Sequence, residues 1–123
     1  MGRGAIRNLE AFAAARWDWS FLEGCFGQTR ISPSDIDACV ERNGHFLWIE
    51  NKPLNGGLDT GQFILLSRLR KRGDTVIILY GRQEEPPWFM QILPNPKKRV
   101  EMRDIRAYVS AWFNWADGTP VHG

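Results

Sequence analysis

Histidine and cysteine are scarce in this chain, two of each among 123 residues. His45 falls in a turn and His122 near the C-terminal end, so neither a histidine-based nuclease centre nor a serine triad is expected. Cys25 and Cys39 are too few and too far apart for the closely spaced ligand pairs of a zinc site. They read as reduced core residues of a cytoplasmic protein. A long apolar run is also missing. Charge interrupts the opening MGRGAIRNLEAFAAARW, which argues against a signal peptide or a membrane span. Met1-Gly2 lacks the Ser or Thr that a myristoylation motif needs, so no membrane partner is expected. Neither sign of charge is in excess: 16 Lys+Arg against 14 Asp+Glu leave +2. Any nucleic-acid footprint must then lie in how the charge is distributed. There is no internal repeat, and Asn55-Gly56-Gly57 is not followed by the Gly-Lys-Ser/Thr of a P-loop.

What is present suits one compact domain spanning 1–123, with a core at about 5–81 and a C-terminal strand and helix at 88–116. Ile6, Leu9, Phe12 or Ala13, and Arg16-Trp17 recur at helical spacing and predict a helix over 5–23, ended by Gly24 and Gly27. Residues 36–41 and 46–52 predict two strands joined by Asn43-Gly44, since both turn residues tolerate positive φ. Pro53 ends the second strand. Thr60 is expected to cap a helix running to Arg72, with Phe63, Leu66 and Leu69 or Arg70 turned inward and Gly73 as the stop. Thr75 to Tyr80 is nearly all apolar and predicts a strand buried on both faces. Glu84 to Pro87 reads as a loop and Trp88 to Leu93 as a strand near an edge. Ile105, Tyr108, Val109, Trp112, Phe113 and Ala116 mark the inner face of a last helix over 101–116. The order is α-β-β-α-β-β-α: an α/β (α+β) domain with a mixed central β-sheet flanked by helices.

The hairpin carries an anomaly. A two-residue turn at Asn43-Gly44 pairs Arg42 with His45, which sets Asp37 opposite Glu50 and Asp35 opposite Lys52. Side chains alternate along a strand, so all four converge on one patch. Opposed carboxylates repel, by about 0.2–1 kcal/mol for an unfavourable cross-strand pair. A divalent cation between them relieves that repulsion. Oxygen-only ligands, incomplete in number, suit Mg²⁺ or Mn²⁺ better than Zn²⁺. Lys52 points to the same patch and can orient water or neutralise a phosphate. The competing reading is a solvated ionic cluster that contributes little.

Asp37, the hairpin, and Glu50-Asn51-Lys52 resemble the PD-(D/E)xK nuclease superfamily, the restriction-endonuclease-like class. The 13-residue step from Asp37 to Glu50 is similar to that of archaeal Holliday-junction resolvases and the VRR-NUC group. Gln62 on a helix, Gly73 and the apolar strand at 75–80 extend the resemblance over roughly 5–81. The resemblance implies Mg²⁺ or Mn²⁺ held by Asp37 and Glu50, water assisted by Lys52, and Gln62 joining from the next helix. It also implies an acid from the first helix, Glu10 or Glu23. Two features depart from the family pattern. The Pro-Asp element is spread over Pro33-Ser34-Asp35-Ile36-Asp37, which makes Asp35 a rival for the metal. Asn51 stands where an apolar residue is usual. A further strand within 24–33, around Gln28 to Ile31, stays open.

Two basic groups flank this core: Arg68, Arg70, Lys71 and Arg72, and Lys97, Lys98 and Arg99 with Arg103 and Arg106. The first group also suits the C-terminal end of a helix dipole. As a functional feature, both would contact nucleic-acid phosphates. The expected activity is metal-dependent hydrolysis of phosphodiester bonds in DNA, structure-selective or non-specific, with RNA an open alternative. Cutting both strands calls for a homodimer or a partner. The small size fits a phage or mobile-element protein acting alone or in a larger phage or host complex. The main alternative is a catalytically silent module of the same fold that binds nucleic acid or a host protein. A weaker one is an interaction protein working through its Trp-rich last helix.

Overall fold

The computed structural model describes residues 17–121. The chain divides into two compact units, Met1–Ser34 and Asp35–Gly123. In the first, the expected helix up to residue 16 lies outside the described residues. Residues 17–23 depart from that expectation and form only a short 3₁₀ turn, Ser20–Leu22. Local bonds compete with a longer helix here: Asp18 Oδ1 accepts from the Ser20 N–H at 2.9 Å. Gly24 and Gly27 then turn the chain at positive φ. No strand forms at 28–31; the Thr29 hydroxyl donates to the Phe26 carbonyl and accepts from the Ile31 N–H.

The second unit is a five-stranded sheet with one helix on each face. Strands β1 (Ala38–Arg42), β2 (His45–Lys52), β3 (Thr75–Arg82), β4 (Glu85–Ile92) and β5 (Lys98–Val100) lie side by side in chain order. Only the β2–β3 pair is parallel. A parallel pair needs a crossover, and helix α1 (Thr60–Lys71) supplies it. Helix α2 (Met102–Asp117) closes the unit.

Asn43 and Gly44 turn the hairpin at φ 53° and 86°. They set the register expected from the turn, with Arg42 facing His45 and Ala38 facing Ile49. Asp37 falls one residue short of β1. The cap of α1 is Asp59 rather than Thr60; its carboxylate accepts from the Gln62 N–H at 2.7 Å. A carboxylate one residue earlier reaches the same orphan donor and also favours the dipole.

The residues of β3 are buried on both sides, as expected: Val76 and Ile78 face α1, and Ile77 faces α2. Gly81 is buried at φ 133°, where β3 and β4 shift register. A Cβ there would come within 3.0 Å of the Pro87 carbonyl and the Trp88 ring. β4 starts at Glu85 and takes in both prolines, so the 84–87 loop shrinks to a tight turn. The expected order has no strand between Leu93 and the last helix, yet Lys98 and Arg99 of the basic run form β5 with Val100, and the sheet edge moves outward from β4.

Two further expectations, the inward phenylalanines and the core cysteines, are corrected. Phe63 and Phe113 are exposed, because Gln62, Leu66 and Leu69 set the inner stripe of α1 and Trp112 and Ala116 that of α2. Cys25 and Cys39 are free thiols but both exposed, Cys39 because all of β1 is an open edge. Among the described residues, no helix is long and apolar enough to cross a membrane.

Candidate active site

Cross-strand partners share a face, so register decides which side chains meet. Trp48, Glu50 and Lys52 point to the α1 face, level with Val76, Ile78 and Tyr80 on β3. β4 continues these rows with Phe89 and Gln91. Most of the face is hydrocarbon: Leu66, Val76, Ile78, Tyr80 and Leu93 form its core, with Trp48, Leu58, Leu69 and Phe89 packed around them. Into this layer the chain inserts Glu50, 4% exposed, the one buried charged side chain among the described residues.

Three polar groups meet Glu50. Gln62, in the first turn of α1, donates from Nε2 to Glu50 Oε2 at 3.2 Å. Asp37 hydrogen-bonds the Glu50 carboxyl and repels its charge. Asp37 is held in turn by the Asn51 N–H, which donates to its Oδ2 at 2.7 Å. Lys52 lies two residues along the same face, about 7 Å by strand rise, and its charge favours ionised Glu50. Burial is the largest influence on Glu50, and with Asp37 it pushes the carboxyl up to about 7. A buried acid in that range beside a second carboxylate is a functional-site signature.

The helix cap contributes directly. Asp59 fixes the Gln62 backbone, and that aims the Gln62 side chain at Glu50. The other amide atom, Oε1, is buried without a hydrogen-bond partner. An orphaned buried acceptor costs about 1–3 kcal/mol. It fits a donor that would arrive with a ligand, such as water on a cation held by the two carboxylates. Those carboxylates are a pair: the described residues contain no group of three or more His, Cys, Asp or Glu able to hold a metal. Hard, oxygen-only and incomplete, the set suits a partly hydrated Mg²⁺ or Mn²⁺.

Asp37 and Glu50 thus meet as the turn register predicts, with Lys52 on the same face, and Gln62, expected here only from the family resemblance, joins from α1. Asp35 sits in the exposed segment before β1, and Asp37 is the carboxylate that meets Glu50. Glu10 lies outside the described residues; Glu23 is exposed in the first unit. Asn51 points to the opposite face, where its amide donates to the Leu79 carbonyl at 3.1 Å. Its polarity is satisfied there and leaves the pair undisturbed.

The basic groups separate. Arg68 to Arg72 close the far end of α1, about 9–15 Å from Gln62 by helix rise. Arg72 is paired with Asp74 there at 3.1 Å. In β5 the run splits by alternation: Arg99 opposes Phe89 on the carboxylate face, and Lys98 opposes Met90 on the α2 face. Lys97 joins the carboxylate face, its Nζ 4.4 Å from the Tyr80 ring centre and 5.8 Å from that of Phe89. Sequence reasoning missed Tyr80 and Gln91, whose side chains are bonded at 2.8 Å. A polar end on an apolar strand was the available signal. No family model, curated protein or solved structure matches this chain.

Proposed function

We propose that this protein is a metal-dependent phosphodiesterase acting on DNA, with a PD-(D/E)xK-type centre at Asp37, Glu50, Lys52 and Gln62. One observation carries the reading: Glu50 is buried against Asp37, with the Gln62 amide bonded to its carboxylate and Lys52 on the same face, close enough for its charge to favour the ionised form. Packing gains nothing from that arrangement.

Asp37 and Glu50 are the residues that would hold Mg²⁺ or Mn²⁺. When bound, the ion would supply a lowered water pKa and a positive charge for the phosphate oxygens. Glu50 must lose its proton to serve as a ligand, and the pull of Lys52 favours that loss. Gln62 positions Glu50 through Nε2 and offers Oε1 to a water proton. The Lys52 ammonium orients the attacking water or neutralises charge on the phosphate.

A second reading, a silent module of the same fold that binds nucleic acid, is favoured by the two-carboxylate set. Supercoiled, linear, single-stranded and branched DNA, incubated with Mg²⁺, Mn²⁺ or EDTA, separates the two. Cleavage by the wild type with metal, lost in Lys52→Ala and Asp37→Ala proteins that still fold, supports hydrolysis. Binding without cleavage, indifferent to both substitutions, supports the silent module.

A further inference from the structure

Four strands place Lys52, Tyr80, Phe89 and Arg99 in one continuous row, each the cross-strand partner of the next. All four point to the face that carries Glu50. Neighbouring strands are about 4.8 Å apart, so the row runs about 14 Å from Lys52 to the sheet edge. It begins and ends in a cation. Lys97 adds a third above its middle, over the rings of Tyr80 and Phe89. The rings hold this ammonium in place by cation–π attraction. The Tyr80 hydroxyl is fixed by Gln91 Oε1 at 2.8 Å, so the support is itself held. No described carboxylate forms an ion pair with Lys97 or Arg99. Lys97 and Arg99, exposed on one face and without a described counter-charge, match the phosphates of a polyanion that reaches Lys52 at the inner end of the row.

We propose that Lys97 and Arg99 are phosphodiester-binding residues that seat a nucleic-acid strand across the sheet, over the Tyr80–Phe89 row, with Lys52 at its inner end. The role beside a cleavage point rests on the hydrolase reading above; the binding itself does not. Lys98 is the built-in control. It is adjacent in sequence and equal in charge, but it faces the α2 side. A merely basic tail would use all three residues alike, whereas the row uses Lys97 and Arg99.

The test is binding of fluorescein-labelled single-stranded DNA, single-stranded RNA and duplex DNA to full-length protein in EDTA, across a series of KCl concentrations. Poly-glutamate serves as the non-nucleic polyanion. Lys97→Ala is expected to weaken binding about five- to tenfold and to lower the salt slope by about 0.7 for single strands or 0.9 for duplex. Lys97→Arg should restore most of it, and Lys98→Ala should change affinity less than twofold. Matched thermal unfolding of Lys97→Ala and Lys98→Ala checks that both fold. Equal losses in the two variants, equal capture by poly-glutamate, or no binding to any strand would overturn the proposal. The DNA and RNA arms identify which backbone is preferred. If metal-dependent cleavage is seen, Lys97→Ala should raise KM and spare kcat, because the contact is made equally before and during reaction. Lys97-dependent binding without cleavage under any metal would uphold the row and reject the hydrolase reading.

Discussion

The two faces of the sheet are built to different rules. Under α2, Leu47, Ile77, Met90, Val100, Trp112 and Ala116 form an apolar layer, with Ile105, Tyr108 and Val109 packed against it. Under α1, a comparable layer is interrupted by Glu50 and Gln62. Each face carries one buried side-chain atom without a partner, Trp112 Nε1 on one and Gln62 Oε1 on the other. Around Trp112 the neighbours are hydrocarbon, and the orphan N–H is a by-product of filling space with an indole. Gln62 instead is bonded to the buried carboxyl of Glu50, and its orphan oxygen is the acceptor that the proposed reading gives to a metal-bound water. Both faces hold the domain together, but only the α1 face buries a carboxyl, at a cost in stability.

The largest test of that contrast is Trp112→Ala. Truncating a buried indole costs about 3–5 kcal/mol, so denaturant unfolding should shift strongly while surviving folded protein keeps its metal response. Glu50→Gln should do the reverse. The folded protein holds the Glu50 proton up to about pH 7, whereas the unfolded chain releases it near 4.5. The folded state therefore binds more protons in this window, and the Glu50 contribution declines as pH rises from 4.5 to about 7. Glu50→Gln removes that decline and should stabilise the metal-free protein at pH 8 by roughly 1–3 kcal/mol. Thermal melts across pH, with and without Mg²⁺, read this directly. Mg²⁺ should raise the wild-type melting temperature above pH 7 and leave Glu50→Gln nearly unmoved. The smallest effect is expected from Asp59→Ala. Loss of the cap should cost about 1 kcal/mol and appear as faster amide exchange in the first turn of α1. It should also weaken the metal response, because Gln62 loses its backbone anchor.

The hairpin half of the site was legible in the sequence. Asn43-Gly44 fixes the loop length, loop length fixes register, and register brings Asp37 to Glu50 with Lys52 beside them. The phase of α1 was less so. Phe63 is more apolar than Gln62, and hydrophobicity alone turns Phe63 inward. The chemistry of Glu50 instead draws in Gln62, a residue 62, 66, 69 stripe that only a known partner across the gap makes visible. Phe113 was misplaced for a related reason. Arg42 lies 5.7 Å from its ring centre at the rim of α2, and Trp112 takes the buried position. Strand β5 was hidden by Pro94, Pro96 and three successive cations, a composition typical of loops and also of protected sheet edges. Cys39 was assigned to the core because cysteine is often buried. That prior fails on an edge strand whose residues are all exposed.

The two-residue alternation of β5 limits the length of the turn before it. Val100 reaches the core only because Lys98 and Val100 share the α2 side. A single-residue insertion between Pro94 and Lys97 that advanced the register by one would exchange the faces. Val100 would leave the core, Arg99 would be pushed under the helix, and Lys98 would take the open side. Two inserted residues would restore both patterns. The turn is therefore expected to accept length changes in pairs and to reject single ones, a parity rule that an insertion series scored for solubility would reveal.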